Sequence, residues 1–208
     1  TADTKSKSTS DASVDRGTAY DEAEYLEDED GYYLLTVDAY EVSTLQIDIK
    51  HGELDIVESS DQKLKVFADE PVDGILAECS DGRLKIEDHR QGSKSREDVY
   101  ISLHIPTSML FEDVDLKVDA GIIQTECIMR TNTLVLKADA GEITLDGINA
   151  EKLTASVGAG MIDIVNGDFG SLEMDCGVGE MDFEGSIQHD SKISVYNINH
   201  SRTYRSCK

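Results

Sequence analysis

One pattern recurs down this chain in constant register. VDLKVDAGIIQTE begins at Val114, LVLKADAGEITLD at Leu134, LTASVGAGMIDIV at Leu153 and LEMDCGVGEMDFE at Leu172. Their glycines, Gly121, Gly141, Gly160 and Gly179, set a period of 19 to 20 residues. An earlier copy, LQIDIKHGELDIV from Leu45, carries Gly52 at the same offset. Self-similarity at this period is the signature of a solenoid. Within a copy, apolar residues alternate with polar ones: Leu134, Leu136, Ala138 and Ala140, then Ile143 and Leu145. Leu153, Ala155, Val157 and Ala159, then Ile162 and Ile164, repeat it. Alternation of period two belongs to a half-buried strand and does not suit a helix. Each copy therefore reads as a strand, a glycine turn, a second strand and a looser return.

Such a unit cannot stand alone. About six inward side chains, many of them Ala or Val, contribute roughly 1.5–3 kcal/mol apiece for the larger ones. Ordering a rung costs on the order of 1.5 kcal/mol per residue. Stacked rungs share backbone hydrogen bonds at about 4.8 Å and bury one another's apolar columns. The expected fold is all-β, a single-stranded parallel β-helix of 19–20-residue rungs.

The rest of the chain is placed around that array. Residues 1–31 are small, polar and then strongly acidic (DEAEYLEDED), a composition that buries too little apolar area to order itself. They are expected to form a disordered stalk, with Tyr20, Tyr25 and Leu26 as the anchors of an alternative acidic interaction tail. The solenoid is expected over 32–200, regular over 114–192 and irregular over 64–113. In the irregular part LKVFA, GILAEC, LKIED and VYISLHIP read as strands of distorted rungs, with insertions around EPVDG and HRQGSKSRED. Residues 201–208, SRTYRSCK, form a basic tail that either caps the stack or marks a truncated array.

Composition narrows the partners. The 208 residues carry 43 acidic and 19 basic side chains, a formal charge of −24. No nucleic-acid partner is expected and anionic lipid is disfavoured, because binding either draws on a basic surface. The charge favours solubility and accumulation of cations. No apolar run is long enough to span a bilayer, so no direct membrane insertion is expected within the chain.

Candidate chemistry is sparse. Gly158-Ala159-Gly160 after an apolar run is half of a dinucleotide fingerprint, but Met161-Ile162-Asp163-Ile164 alternates like a strand where a helix would be needed. Glycine there supplies a corner. Asp163 with Asp182, and Asp119 with Asp139, share outward offsets in adjacent rungs, about 5 Å apart, where like charges repel. Cation binding or paired-carboxylate hydrolysis would use them, but solvated faces are the simpler reading. No metal site is expected: His51, His89, His104, His189 and His200 lack metal spacing, and the calcium roll signature is absent. His51 stands in the column of Ala120, Ala140 and Ala159, which marks its rung as terminal and wet. Cys176 aligns with Ala138 and Val157 as a core hydrophobe, and Cys207 is the exposed thiol. Cys79 and Cys127 complete the four, whose spacing fits either redox compartment. No catalytic residue or cofactor is assigned, and no binding residue is identified.

The strand ending in Ile105-Pro106-Thr107-Ser108-Met109-Leu110-Phe111 is followed by rungs turning at Ala120-Gly121, Ala140-Gly141, Gly158-Ala159-Gly160 and Gly177-Val178-Gly179. This resembles the bacterial "putative adhesin" domain family of unknown function, over roughly residues 40 to 190. The resemblance implies a parallel β-helix, often right-handed, in an envelope-associated protein. It points to a non-enzymatic extracytoplasmic interaction or scaffold domain, held through an anchor upstream of Thr1. Its partner would be a protein or cell-surface glycan, and an open last rung would allow end-to-end homodimers. Two other functions fit the same features: a sensory domain of an envelope-stress membrane protein, and a polysaccharide-processing enzyme on a β-helix.

Overall fold

A computed structural model of the chain describes residues 27–28, 31–69, 74–93, 98–189, 191–195 and 204–206. They are all-β, with one short 3-10 turn at Ala39–Glu41. In chain order the strands are β1 (Glu27–Asp28), β2 (Gly31–Asp38), β3 (Thr44–Glu58), β4 (Lys63–Ala68), β5 (Ile75–Ser80) and β6 (Arg83–Asp88). There follow β7 (Tyr100–Ile105), β8 (Leu110–Thr125), β9 (Met129–Asp146), β10 (Ile148–Ile187), β11 (Ser191–Val195) and β12 (Tyr204–Ser206).

The repeats stack in parallel as their spacing demands. Gly52 is in register with Gly121, Gly121 with Gly141, and Gly141 with Gly160. β10 runs for 40 residues, which straight would reach about 130 Å. Instead it lies beside itself, with Gly179 over Gly160 and Gly177 over Gly158. The architecture is solenoid-like. Its core is a set of columns: Leu45, Val114, Leu134 and Leu153 form one, and Ile49, Val118, Ala138 and Val157 another, each residue at most 2% exposed. Cys176 is buried in the column of Val157, as the offsets predict.

The glycine corner alters the alternation. Val157 and Ile162 are both buried, five residues apart, so the inward phase must flip between them. The sequence pattern put that flip after Ala159. In the structure it falls one pair earlier, and Ala140, Ala159 and Val178 stand exposed on the outside of the bend while Ala120 is half-buried. A chain that turns outward through Gly158 and Gly160 cannot keep the alanine between them inside.

The segment expected as distorted rungs, 64–113, is built differently. β6 and β7 do lie parallel to β3, β6 beside Thr44–Asp48 and β7 beside Glu53–Glu58. They form one rung split by residues 89–99, and it precedes β3 in the stack although it follows β3 in the chain. β4 and β5 are antiparallel: β5 pairs β6 in a hairpin, and β4 bridges β7 and β2. The hairpin turns at Asp81 (φ 50°) and Gly82 (φ 77°), the Asp-Gly pair that a two-residue turn of this hand requires. These strands close the first end of the stack and cover the edge that a parallel array leaves unpaired.

At the far end β11 continues the array on Leu172–Cys176. Tyr204–Ser206, expected in a tail, pairs in parallel with Phe183–Gly185 and puts Arg205 in register with Glu184. Within the expected stalk, Glu27–Asp28 pairs with Gly31–Tyr32. The remainder of the stalk, Asn199, His200 and Cys207 lie outside the described residues.

Candidate interaction surface

Beyond the glycine corner, each rung presents its first, third and fifth residues outward while the second and fourth enter the core. Parallel register stacks these outward residues into three columns on β3, β8, β9 and the two turns of β10. The first column holds Glu53, Ile122, Glu142, Met161 and Glu180. The second holds Asp55, Gln124, Thr144, Asp163 and Asp182. The third holds Val57, Glu126, Asp146, Val165 and Glu184. Three of the five positions in every column are carboxylates, and none is Lys or Arg.

The face before the corner is different. There Lys117 lies 2.7 Å from Asp119 and 3.3 Å from Asp48, on the neighbouring rung. Asp119, which the sequence set beside Asp139 as a repelling pair, therefore has a cation partner. Asp163 does not share that relief. Burial, then the charges of Asp182, Glu142 and Glu180, raise its carboxyl above the ordinary 3.8. Glu53 is raised by burial and by Asp55 and Asp69. Asp55 is raised by burial, with Glu126 and Asp69 adding to it against a hydrogen bond from Gln124. Carboxylates held low lie elsewhere, each beside a cation: Asp61 by Lys65, Glu87 by Lys85, and Glu173 by Lys192.

At the capped end this face opens into a cleft of about 630 Å³, lined by Gly52, Glu53, Asp69, Asp98, Val99, Tyr100, Gly121 and Ile122. It exists because the first rung is interrupted between Asp88 and Tyr100, just where the corner of β3 needs cover. Val99 lies against Gly52 there, in place of another glycine. Tyr100, in register with Glu53, donates its hydroxyl to Asp55 Oδ2. Asp55 is 8% exposed, and its other oxygen, Oδ1, is buried without a hydrogen-bond partner.

The same interruption explains His51. Its rung is covered by β6 and β7 and is not terminal, but the gap leaves the ring partly exposed, with Nδ1 2.6 Å from Asp98. Beside it the buried Arg90 binds Asp88 Oδ2 at 2.7 Å and the carbonyl of His51 at 3.0 Å. Burial works against the Asp88 carboxylate, but hydrogen bonds from Arg90 and Lys50 hold it below 3.8. A second, shallower groove of about 290 Å³ crosses the rung starts at Arg130, Asn149, Asp168 and Gln188.

The other candidate groups stand apart. His104 packs on Phe67, ring centres 4.6 Å apart, His89 lies 3.3 Å from Glu87, and His189 is exposed. Among the described residues no three His, Cys, Asp or Glu side chains are grouped to hold a metal. Burial pushes the Cys127 thiol up to about 12, aided by Glu58, which makes it inert. Cys79 is half-buried and free. Gly158 and Gly160 serve the corner: Gly160 has φ +143°, and a side-chain carbon there would overlap the carbonyl oxygen of Gly141.

With that geometry in hand, the chain can be set beside known proteins. In solved structures it is similar to a "putative cell adhesion protein" from Clostridium sporogenes (11% identity, covering 79% of this chain and 97% of that one, TM-score 0.48). It is also similar to a "putative lipid binding protein" from Parabacteroides distasonis (12%, 84% and 96%, TM-score 0.37). A "putative adhesin" from Bacteroides fragilis matches at 14% identity, 79% and 96% coverage and TM-score 0.35. No curated protein matches the chain. The family model described as Toastrack DUF4097 matches residues 42–195, from the start of the β3 rung to the end of β11. The chain belongs to the Toastrack DUF4097 family.

Proposed function

We propose that this chain is a non-enzymatic, extracytoplasmic interaction domain of a bacterial envelope protein, built as a right-handed, single-stranded parallel β-helix. Its working part is an outward sheet face. The observation that supports this reading is the face beyond the glycine corner, where backbone register holds side chains of one charge in fixed columns over five rungs. A rigid, flat and extended surface suits contact with another surface or an extended ligand. A carboxylate raised by its neighbours could serve as a general acid. Here Glu53 shares the cleft with Asp69, Asp98 and Tyr100, and none of the cleft's lining side chains is Lys or Arg to hold an anionic sugar.

The test is adhesion itself. Labelled purified chain should bind intact bacterial envelopes saturably and be displaced by excess unlabelled chain. Turnover of acidic polysaccharides by the purified chain would overturn the reading.

A further inference from the structure

From the bend at Asn166-Gly167 we infer that the chain carries a built-in modification site: Asn166 deamidates without an enzyme, and its conversion loosens the far end of the stack. The reaction needs only water, so it is independent of the interaction-domain reading above.

Of the chain's asparagines only Asn166 is followed by glycine. Glycine has no side chain to shield its amide nitrogen, so that nitrogen can reach the side-chain carbonyl carbon of the residue before it. The Gly167 nitrogen bonds to Asn166 Cγ and gives up its proton, the Cγ–Nδ2 bond breaks, and ammonia leaves with that proton. Water then opens the cyclic imide at either carbonyl. One opening gives aspartate, and the other gives isoaspartate, with the backbone routed through the side chain. The local structure favours this reaction at Asn166. The residue is exposed and has a φ of 54°, outside the extended range of a strand, a left-handed conformation that asparagine tolerates better than most side chains. Asn132 and Asn149 lie within β9 and β10 without a positive φ, and are followed by Thr133 and Ala150. The glycine itself is fixed by packing, because a side-chain carbon at position 167 would overlap the buried ring of Phe169.

What the reaction changes is a contact between rungs. Asn166 Nδ2 donates to Asp146 Oδ1 at 2.7 Å. An aspartate in its place sets carboxylate against carboxylate, and like charges directly opposite destabilise a strand pair. Isoaspartate also lengthens the backbone by one methylene, just ahead of a segment fitted on both sides. Gly170 lies against the carbonyl of Glu151, and Gly185 against the carbonyl of Gly167. Phe169 packs on Phe183 with ring centres 5.9 Å apart. In a solenoid each layer touches only its neighbours, so the fault stays local. The last turn of β10 loosens, while β8 and β9 keep their register.

The full chain is aged at mildly alkaline pH and body temperature, and samples are digested and mapped by mass spectrometry. Labelling with an isoaspartyl methyltransferase marks the isoaspartate. Asn166 should convert about tenfold or more faster than Asn132 and Asn149 in the same molecules. Hydrogen exchange over residues 168–187 should then be about tenfold or more faster in the aged chain than in the fresh one, with β8 and β9 unchanged. Asn166→Gln keeps an amide at the bend, and its aged and fresh samples should exchange alike. The three asparagines are compared within the parent chain, so that measurement stands even if Asn166→Gln folds poorly. Conversion at Asn166 no faster than at the other two would overturn the inference. So would conversion that leaves exchange over 168–187 unchanged, or equal loosening on ageing in Asn166→Gln. Failure of the chain to bind envelopes would leave this site standing.

Discussion

Gly160 and Asp163 sit three residues apart and respond to substitution in opposite directions. Gly160 combines a φ of +143° with direct contact against the backbone of the rung below. Gly160→Ala should cost about 3 kcal/mol or more, from backbone strain plus the displaced rung, read from chemical denaturation midpoints. Asp163→Asn should stabilise, because it removes a charge that Asp182, Glu142 and Glu180 oppose. The expected gain at neutral pH is about 0.5–1 kcal/mol, or about 1–4 °C in Tm. The sign of its pH dependence follows from a folded-state value raised above 3.8. Protonation favours the folded chain, so the carboxylate's contribution is most favourable below 3.8 and is lost as pH rises through the folded value. The advantage of Asp163→Asn should therefore shrink as pH falls. An advantage that grows on acidification would contradict the repulsion. Much of this was legible beforehand: the glycine offsets and the Asp163–Asp182 pair follow from the period alone. The outward turn of Ala159 was not, because a phase flip between Val157 and Ile162 can fall at more than one bond.

Among the elements, the split first rung is the weak point, and Arg90 holds it. Arg90 and Asp88 are 3% and 0% exposed at their side chains, and Arg90 also ties the rung to the carbonyl of His51. Arg90→Ala leaves a buried carboxylate without its partner, which typically costs about 3–5 kcal/mol. Hydrogen exchange should show the β5–β6 hairpin opening first, with β9 and β10 still protected. Asp88 carries the opposite pH sign to Asp163. Its value is depressed below 3.8, so its contribution is present above 3.8 and lost as pH falls through the folded value. The hairpin itself was within reach of the sequence, since Asp81-Gly82 stands between two alternating runs and is a strong short-range turn signal. The Arg90 pair was not, because nothing local brings residue 90 against residue 51.

The whole molecule behaves as a stack of near-independent layers, so rungs should be removable in whole units. Val165 is in register with Asp146, and joining Asp146 to Asn166 excises residues 147–165 while restoring every column. That chain should fold, with strand-type circular dichroism and a lower unfolding slope in denaturant, since the slope scales with surface exposed. Removing residues 147–163 instead misaligns the glycines and should abolish cooperative unfolding. If both deletions behaved alike, rung register would not be what holds the stack. By itself the sequence determined the rung: its period, its corner, its inward columns and the parallel pairing of like with like, all set by short-range alternation and a glycine repeated at fixed distance. Only the tertiary structure decided the order of the layers. β6 and β7 slip in ahead of β3, and β4 and β5 turn antiparallel to close the end, because those pairings join segments whose own sequences carry no repeat to align. That same ordering puts Tyr100 over Glu53 and opens the cleft beside them, at a corner where chain order alone would have left β3 bare.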